Sequence, residues 1–275
     1  MKAAPVDYVR PRSLTEAIDL LVRTPGEAHV IAGGQSLVAM MNLRLSSPGL
    51  LIDIARLPEL AVVSEDRDAL TLGACVTHAA IEDGKVADPS YGLMPRVAAG
   101  LAYRAIRTRG TIGGSLALSD PAAEWPAVLT ALDAEVVVCG PAGRRSLKCL
   151  EFTTGIFETK LAPDEIIESV RIPKLSANSR WGYIKFCRKA GEFANSLAVA
   201  VADLGRGYSR VVLGAANGTP LLLDDTARLL LGGDRSESPS TIASDLDRAA
   251  DRCFDEYQHA LHTVAATRAV QQVLQ

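Results

Sequence analysis

The sequence predicts an α+β chain, on three observations. Two glycine-rich turns lie at 32–37 and 111–115, the first directly after the apolar run Ala28 to Ile31. Strand and helix patterns alternate from the start of the chain to Ile54, which implies a small parallel sheet. After Ile172-Pro173 a polar stretch, Lys174 to Arg180, separates this part from a second set of strand-like runs and a helical C-terminus.

The elements follow in order. Ser13 reads as the N-cap of a helix, with Glu16 completing a capping box, and Ala17, Ile18, Leu20 and Leu21 carry it to the Thr24-Pro25-Gly26 turn. Ala28 to Ile31 is a short buried strand entering the first glycine turn. Leu37 to Leu45 reads as a helix, broken by Ser47-Pro48-Gly49, and Leu50 to Ile54 as another buried strand. Further strands are expected at Ala61-Val62-Val63 and Leu70 to Gly73. Helices follow at His78, capped by Thr77, and over Tyr91 to Ala99 and Ala122 to Leu132. Ala134 to Cys139 is a strand closed by the Gly140-Pro141-Ala142-Gly143 turn. Beyond the polar stretch, strands are expected at Tyr183 to Phe186 and Arg210 to Leu213, with a small-residue helix, Ser196 to Ala202, between them. From Ser240 to Gln275 the pattern is helical, with Ile242, Leu246, Ala249, Ala250, Cys253 and Phe254 on one face.

Composition narrows the function. With 275 residues, 48% of them hydrophobic, the chain can bury a large core. A net charge of -3 with no basic patch argues against nucleic acid. The N-terminus lacks an apolar signal core, and apolar runs such as Leu197 to Ala202 are too short to span a bilayer, so a soluble cytoplasmic protein is expected. The five cysteines form no Cys-x-x-Cys pair, which argues against a cluster or zinc site in this chain and for buried free thiols. His-Glu-x-x-His and Gly-x-Ser-x-Gly are absent, so no catalytic residue is assigned and redox chemistry would come from a bound cofactor.

The glycine turns carry the chemistry. Ala32-Gly33-Gly34-Gln35-Ser36-Leu37 and Thr111-Ile112-Gly113-Gly114-Ser115 each pair two glycines with a nearby hydroxyl. Glycine permits positive φ and removes the Cβ that would hold a ligand off the backbone. Successive N–H groups in such a turn make an anion site suited to a diphosphate. Two of them suggest one elongated ligand gripped from two sides.

The order and spacing of these motifs resemble the FAD-binding medium subunit of molybdenum hydroxylases, the relatives of carbon monoxide dehydrogenase and xanthine dehydrogenase. The resemblance runs nearly end to end. It takes in Tyr8-Val9-Arg10-Pro11, both glycine motifs, Asn42-Leu43-Arg44-Leu45, Asp120-Pro121-Ala122-Ala123-Glu124, Asp164-Glu165-Ile166-Ile167 and Lys185 to Ala194. It implies a two-subdomain flavin fold of the vanillyl-alcohol-oxidase-like type, over 1–57 and 58–173, and a C-terminal antiparallel sheet and helix domain over 174–275. FAD would lie extended between the first two and be held non-covalently. Ala32, Gly33, Gly34, Gln35, Ser36, Leu37, Thr111, Ile112, Gly113, Gly114 and Ser115 would contact its diphosphate and flanking groups, with Ala117 and Asp120 also on the cofactor side. Glu124 would face the ribose or adenine half, Leu101 and Ile167 would be apolar neighbours, and Lys185 and Phe193 would lie near the isoalloxazine. The chain departs from the family at Ser115, where Asn is usual, at Leu118, where His or Thr is common, and at Tyr103, where His is frequent.

Taken without the resemblance, several of these residues have plainer readings. Glu124 is then a solvated first-turn carboxylate, Asp120 the cap of that helix, Lys185 a solvated strand lysine, Phe193 core and His78 structural. As a function, the resemblance implies an electron-transfer subunit. A molybdenum-cofactor large subunit would hydroxylate substrate, and a [2Fe–2S] small subunit would feed this FAD. The FAD would then reduce NAD, a quinone, oxygen or another acceptor. The alternatives are a stand-alone FAD-dependent oxidoreductase and a flavin-free scaffold.

Overall fold

The computed structural model describes residues 2–232 and 238–275. The first segment runs β1 (Asp7–Val9), α1 (Leu14–Arg23), β2 (Ala28–Ile31), α2 (Leu37–Asn42) and β3 (Leu50–Asp53). Its three strands form a parallel sheet in the order β1-β3-β2, as the alternating pattern implies. Ser13 Oγ accepts from the Glu16 N–H at 3.1 Å. The Glu16 carboxylate reaches back one residue further than a capping box requires, to the Arg12 N–H at 2.7 Å. Leu14, Ala17, Ile18 and Leu21 are buried against Ile52, Ile54 and Leu57. The helix after the first glycine turn is shorter than expected and ends at Asn42.

The middle segment contains β4 (Val63–Glu65), β5 (Ala69–Gly73), α3 (His78–Glu82), α4 (Leu93–Gly100), α5 (Arg104–Arg107), α6 (Ile112–Leu118) and α7 (Glu124–Ala131). It continues through β6 (Glu135–Gly140), β7 (Gly143–Lys148), α8 (Cys149–Phe152), β8 (Thr153–Gly155), β9 (Glu158–Thr159) and β10 (Ile166–Pro173). The antiparallel sheet β4-β5-β10-β6-β7 backs the helices, and β8 and β9 form a small hairpin. Helix α7 is buried along its whole length because it lies inside the main core, with Trp125, Val128 and Leu129 inaccessible.

The last segment holds β11 (Arg180–Phe186), β12 (Ser196–Asp203), β13 (Tyr208–Gly214), β14 (Leu221–Leu222), α9 (Asp224–Gly232), α10 (Ser238–Arg248) and α11 (Glu256–Leu274). Its strands form an antiparallel meander. Ser196 to Asp203 is therefore the second strand of this sheet, and the expected small-residue helix is corrected. Every residue of β12 is buried. Leu197, Val199 and Val201 join the core around α7, while Ala198, Ala200 and Ala202 face Ala265, Ala266 and Ala269 of α11. A strand buried on both faces shows no polar alternation, so its period is hidden.

The helical C-terminus is broken between Arg248 and Glu256, where Cys253 adopts a left-handed conformation with φ 52°. Cys253 is exposed, and Cys139 and Cys187 are partly so. Only Cys75 and Cys149 match the expectation of buried thiols. Among the described residues, no helix is long and apolar enough to cross a membrane.

Helix α11 lies so close to β11 that a Cβ on Gly182 would overlap the Ala269 carbonyl oxygen. Gly182→Val should lower unfolding stability by about 3 kcal/mol, at the upper end for overpacking, in a denaturant titration. His262 is buried on the same helix, its Nδ1 2.8 Å from Ser196 Oγ and its ring against Phe254. Burial, aided by His259, pushes its pKa down from 6.5 to about 4. The folded state thus prefers the neutral ring, and stability present above pH 6.5 is lost as the pH falls towards 4. His262→Asn should flatten that part of the stability–pH curve.

Candidate functional site

The first glycine motif leaves the C-terminal edge of the parallel sheet and enters α2, a usual place for a phosphate. Gly34 has φ +72°, the left-handed conformation that glycine adopts without strain. Among the described residues, nothing accepts a hydrogen bond from the backbone N–H of Gly33, Gly34, Gln35, Ser36 or Leu37. The Ser36 side chain makes no capping bond. Gln35 Nε2 instead donates to Gly33 O at 2.9 Å, which braces the turn. A run of unpaired donors at a helix start fits an anionic group.

The second motif is built differently. It is the N-cap and first turns of α6, not an open turn, and Gly113 and Gly114 have no positive φ. Its N–H groups are already used: Ile112 donates to Val76 O, Gly113 to Ala74 O and Gly114 to Thr111 Oγ1 at 2.9–3.1 Å. Ser115 N–H closes the helix on Thr111 O. The expectation of a second backbone anion cradle is thus corrected. Gly113 is glycine because a Cβ would overlap Ala74. Gly114 and Ala117 instead lie on the exposed face of α6, with Ser115 half-buried beside them. This face is a smooth, small-residue surface.

The two motifs meet. A Cβ on Gly33 would overlap the Arg109 carbonyl and crowd the Cα of Gly110. Gly110 in turn leaves room for the His78 ring, whose Nδ1 accepts from Trp125 Nε1 at 3.1 Å. Burial, with the Arg107 charge, pushes His78 down to about 4, so it is a neutral structural residue, as its plain reading held. Leu101 and Ile167 both lie in the main core, Ile167 beside a bulge in β10.

Glu124 and Lys185 form a buried ion pair at 2.6 Å, with side chains 4% and 9% exposed. Neither is the solvated group its plain reading describes. At that distance they cannot contact opposite ends of an extended dinucleotide, so the assignment of Glu124 to the adenine half and Lys185 to the isoalloxazine does not hold for both. Lys185 Nζ lies 3.4 Å from Gly100 O as well. Burial raises the Glu124 carboxyl pKa, against the Lys185 charge that lowers it. Asp120 does not cap α7; its Oδ1 accepts from the Ala122 N–H at 2.9 Å in a local turn, and the cap position is Ala123. Phe193 is exposed rather than core.

Sequence reasoning missed Tyr183. It precedes Lys185 by two residues on β11, hence on the same face. Its buried hydroxyl has no partner among the described residues. Burial and the Glu124 charge hold the phenol protonated, far above its ordinary range. The spacing of Tyr183 and Lys185 was the available signal. The chain thus offers unpaired backbone donors at 33–37, a small-residue helix face at 114–117, and a buried polar group of Glu124, Lys185 and an unpartnered phenol. This donor set fits a dinucleotide with a diphosphate and a polar ring.

Comparison with known proteins agrees. Residues 4–175 match the family model described as the FAD binding domain in molybdopterin dehydrogenase. The chain is 37% identical over 248 residues to the nicotine 6-hydroxylase medium subunit of Paenarthrobacter nicotinovorans, covering 89% of this chain and 87% of that one. It is similar to the solved carbon monoxide dehydrogenase from Hydrogenophaga pseudoflava that lacks the Mo-pyranopterin moiety, with a TM-score of 0.91 and 30% identity over 99% of this chain and 98% of that one. Quinoline 2-oxidoreductase from Pseudomonas putida 86 superposes with a TM-score of 0.83 at 30% identity, covering 100% of both chains.

Removing one partner of a buried pair leaves the other charge stranded. Lys185→Met should therefore destabilise the chain by about 3–5 kcal/mol in urea. Combining it with Glu124→Gln should restore a large part of that loss.

Proposed function

The chain belongs to the family of FAD-binding domains of molybdopterin dehydrogenases, and we propose that it is the flavin-carrying medium subunit of a heteromeric molybdenum hydroxylase. The observation that carries this reading is the backbone contact of Gly33 with Arg109 and Gly110, which sets a turn of unpaired donors beside the exposed face of α6. The fold is of the vanillyl-alcohol-oxidase-like type, with subdomains 1–57 and 58–173 gripping FAD and a C-terminal part, 174–275, covering one end. FAD is held non-covalently and supplies the redox chemistry.

This chain's residues bind and orient the cofactor. Residues 33–37 give N–H donors to the diphosphate. Gly114, Ser115 and Ala117 let it approach α6 closely, with Ser115 adding a hydroxyl. Thr111, Ile112 and Gly113 fix the helix that presents this face, and Ala32 ends the strand that presents the turn. Leu101 and Ile167 form the apolar wall, and Asp120 shapes the turn into α7. Glu124 holds Lys185 at the flavin end, where the Tyr183 hydroxyl finds its missing partner. A molybdenum-cofactor large subunit would oxidise substrate and a [2Fe–2S] small subunit would pass electrons to this chain. The acceptor would be NAD, a quinone, oxygen or another oxidant.

The purified chain should be yellow, and acid should release all its flavin into the supernatant; flavin retained in the pellet would contradict non-covalent binding. Gly114→Val should fold, since its Cβ overlaps only the Thr111 hydroxyl, at 2.9 Å, and rotation of that side chain relieves it at the cost of about 1 kcal/mol for the α6 cap. It should bind FAD roughly a hundredfold more weakly, the equivalent of about 3 kcal/mol. Wild-type affinity would remove Gly114 from the site. Activity only on reconstitution with molybdenum and iron–sulfur partners supports the relay. Full substrate oxidation by the chain alone would establish a stand-alone oxidoreductase, and a folded chain that takes up no FAD would establish a scaffold.

A further inference from the structure

Arg107 is engaged on every side. Its side chain is 12% exposed, and its Nε and Nη2 form a two-pronged pair with Glu82 at 2.8 and 2.9 Å. Its Nη1 donates to two successive carbonyls, Leu101 O at 2.8 Å and Ala102 O at 3.1 Å. Two successive carbonyls at the end of α4 thus converge on one donor. Ala102 has φ 38°, a positive value that an alanine adopts only when its surroundings impose it.

The strained turn touches two further elements. Gly191, with φ +87°, lies against it so closely that a Cβ would sit 2.8 Å from Ala102 O and 3.1 Å from the Tyr103 ring. The 187–194 loop thus rests on the carbonyl that Arg107 holds. Two residues before Ala102, Gly100 O faces Lys185 Nζ. The turn 100–103 is therefore the common wall of the Glu124–Lys185 pair and of the loop that bears Phe193.

We propose that Arg107, anchored by Glu82, is a positioning residue: it holds the 100–103 turn in its strained form and so pre-shapes the flavin end of the site and the 187–194 loop. The proposal rests on the FAD reading above, but its effect on the loop does not require FAD. Lysine is no substitute, because a single ammonium group cannot fork onto Glu82 and reach two carbonyls together.

The test uses the full chain carrying Arg107→Met or Arg107→Lys, with Arg144→Ala, an exposed pair elsewhere with Glu168, as control. Three quantities are read: FAD affinity, the midpoint potential of the bound flavin, and the rate of trypsin cleavage after Arg188 and Lys189 in the FAD-free chain. Both Arg107 variants should bind FAD about tenfold more weakly or worse, because the ordering of the turn must now come from binding. Their flavin potential should shift, and the loop should be cut several-fold faster with cleavage elsewhere unchanged. The control should match the wild type. Wild-type affinity and potential, or wild-type cleavage of the loop, overturns the proposal. If Arg107→Met fails to fold, Arg107→Lys decides by the same readouts. A wild-type chain that takes up no FAD defeats the flavin reading instead, and the cleavage rates alone then judge the clamp.

Discussion

The packing of Gly33 against the Arg109 carbonyl is the constraint on which the site depends. It joins the end of a parallel sheet to the entrance of α6 at backbone distance, with no side chain between them. Any larger residue at Gly33 would push the two apart and open the floor of the cleft. The other glycines serve this contact in different ways. Gly34 turns the chain in a left-handed conformation, Gly110 makes room for His78, and Gly113 seats α6 on Ala74. A neutral His78 bound to Trp125 then ties the joint to the buried helix α7. A charged ring there would need a solvent that the core does not provide.

The two glycine motifs are chemically unlike. One offers unpaired N–H groups, and the other a helix face whose first donors are already spent on Val76, Ala74 and Thr111. Attraction for an anion is therefore concentrated on one side, and the opposite side gives shape. Glu124 and Lys185 meet as a buried, mutually neutralising pair. Removed from water, such a pair contributes fixed direction more than net stability.

Much of this was legible in the sequence. The strand over 28–31, the Ser13 cap and the two motifs are readable from periodicity and turn chemistry, whereas the antiparallel C-terminal sheet follows only from the family resemblance. Small parallel strands and capped helices leave strong local marks. The expected helix over Ser196 to Ala202 fails because a strand buried on both faces has no polar alternation, and its alanines suggest a helix. The second motif was misread as an open turn because Thr-x-Gly-Gly shows glycine without showing that Val76 and Ala74 accept its N–H groups. The Glu124–Lys185 pair and the Arg107 clamp join residues far apart in sequence, so only the folded chain reveals them. Of the site, the glycines are visible in the sequence and the resemblance names Glu124 and Lys185, but neither shows their pairing nor Tyr183.

Strand β12 lends one face to the core around α7 and the other to the packing under α11. This sharing bears on how the chain is made. Leu197, Val199, Val201 and Val212 complete a core whose other members are all encoded earlier, such as Leu72, Trp125 and Val170. During synthesis that core stays open on one side until β13 has left the ribosome. The nascent chain therefore carries an unsealed apolar surface through most of its translation, and it closes only when the C-terminal sheet arrives.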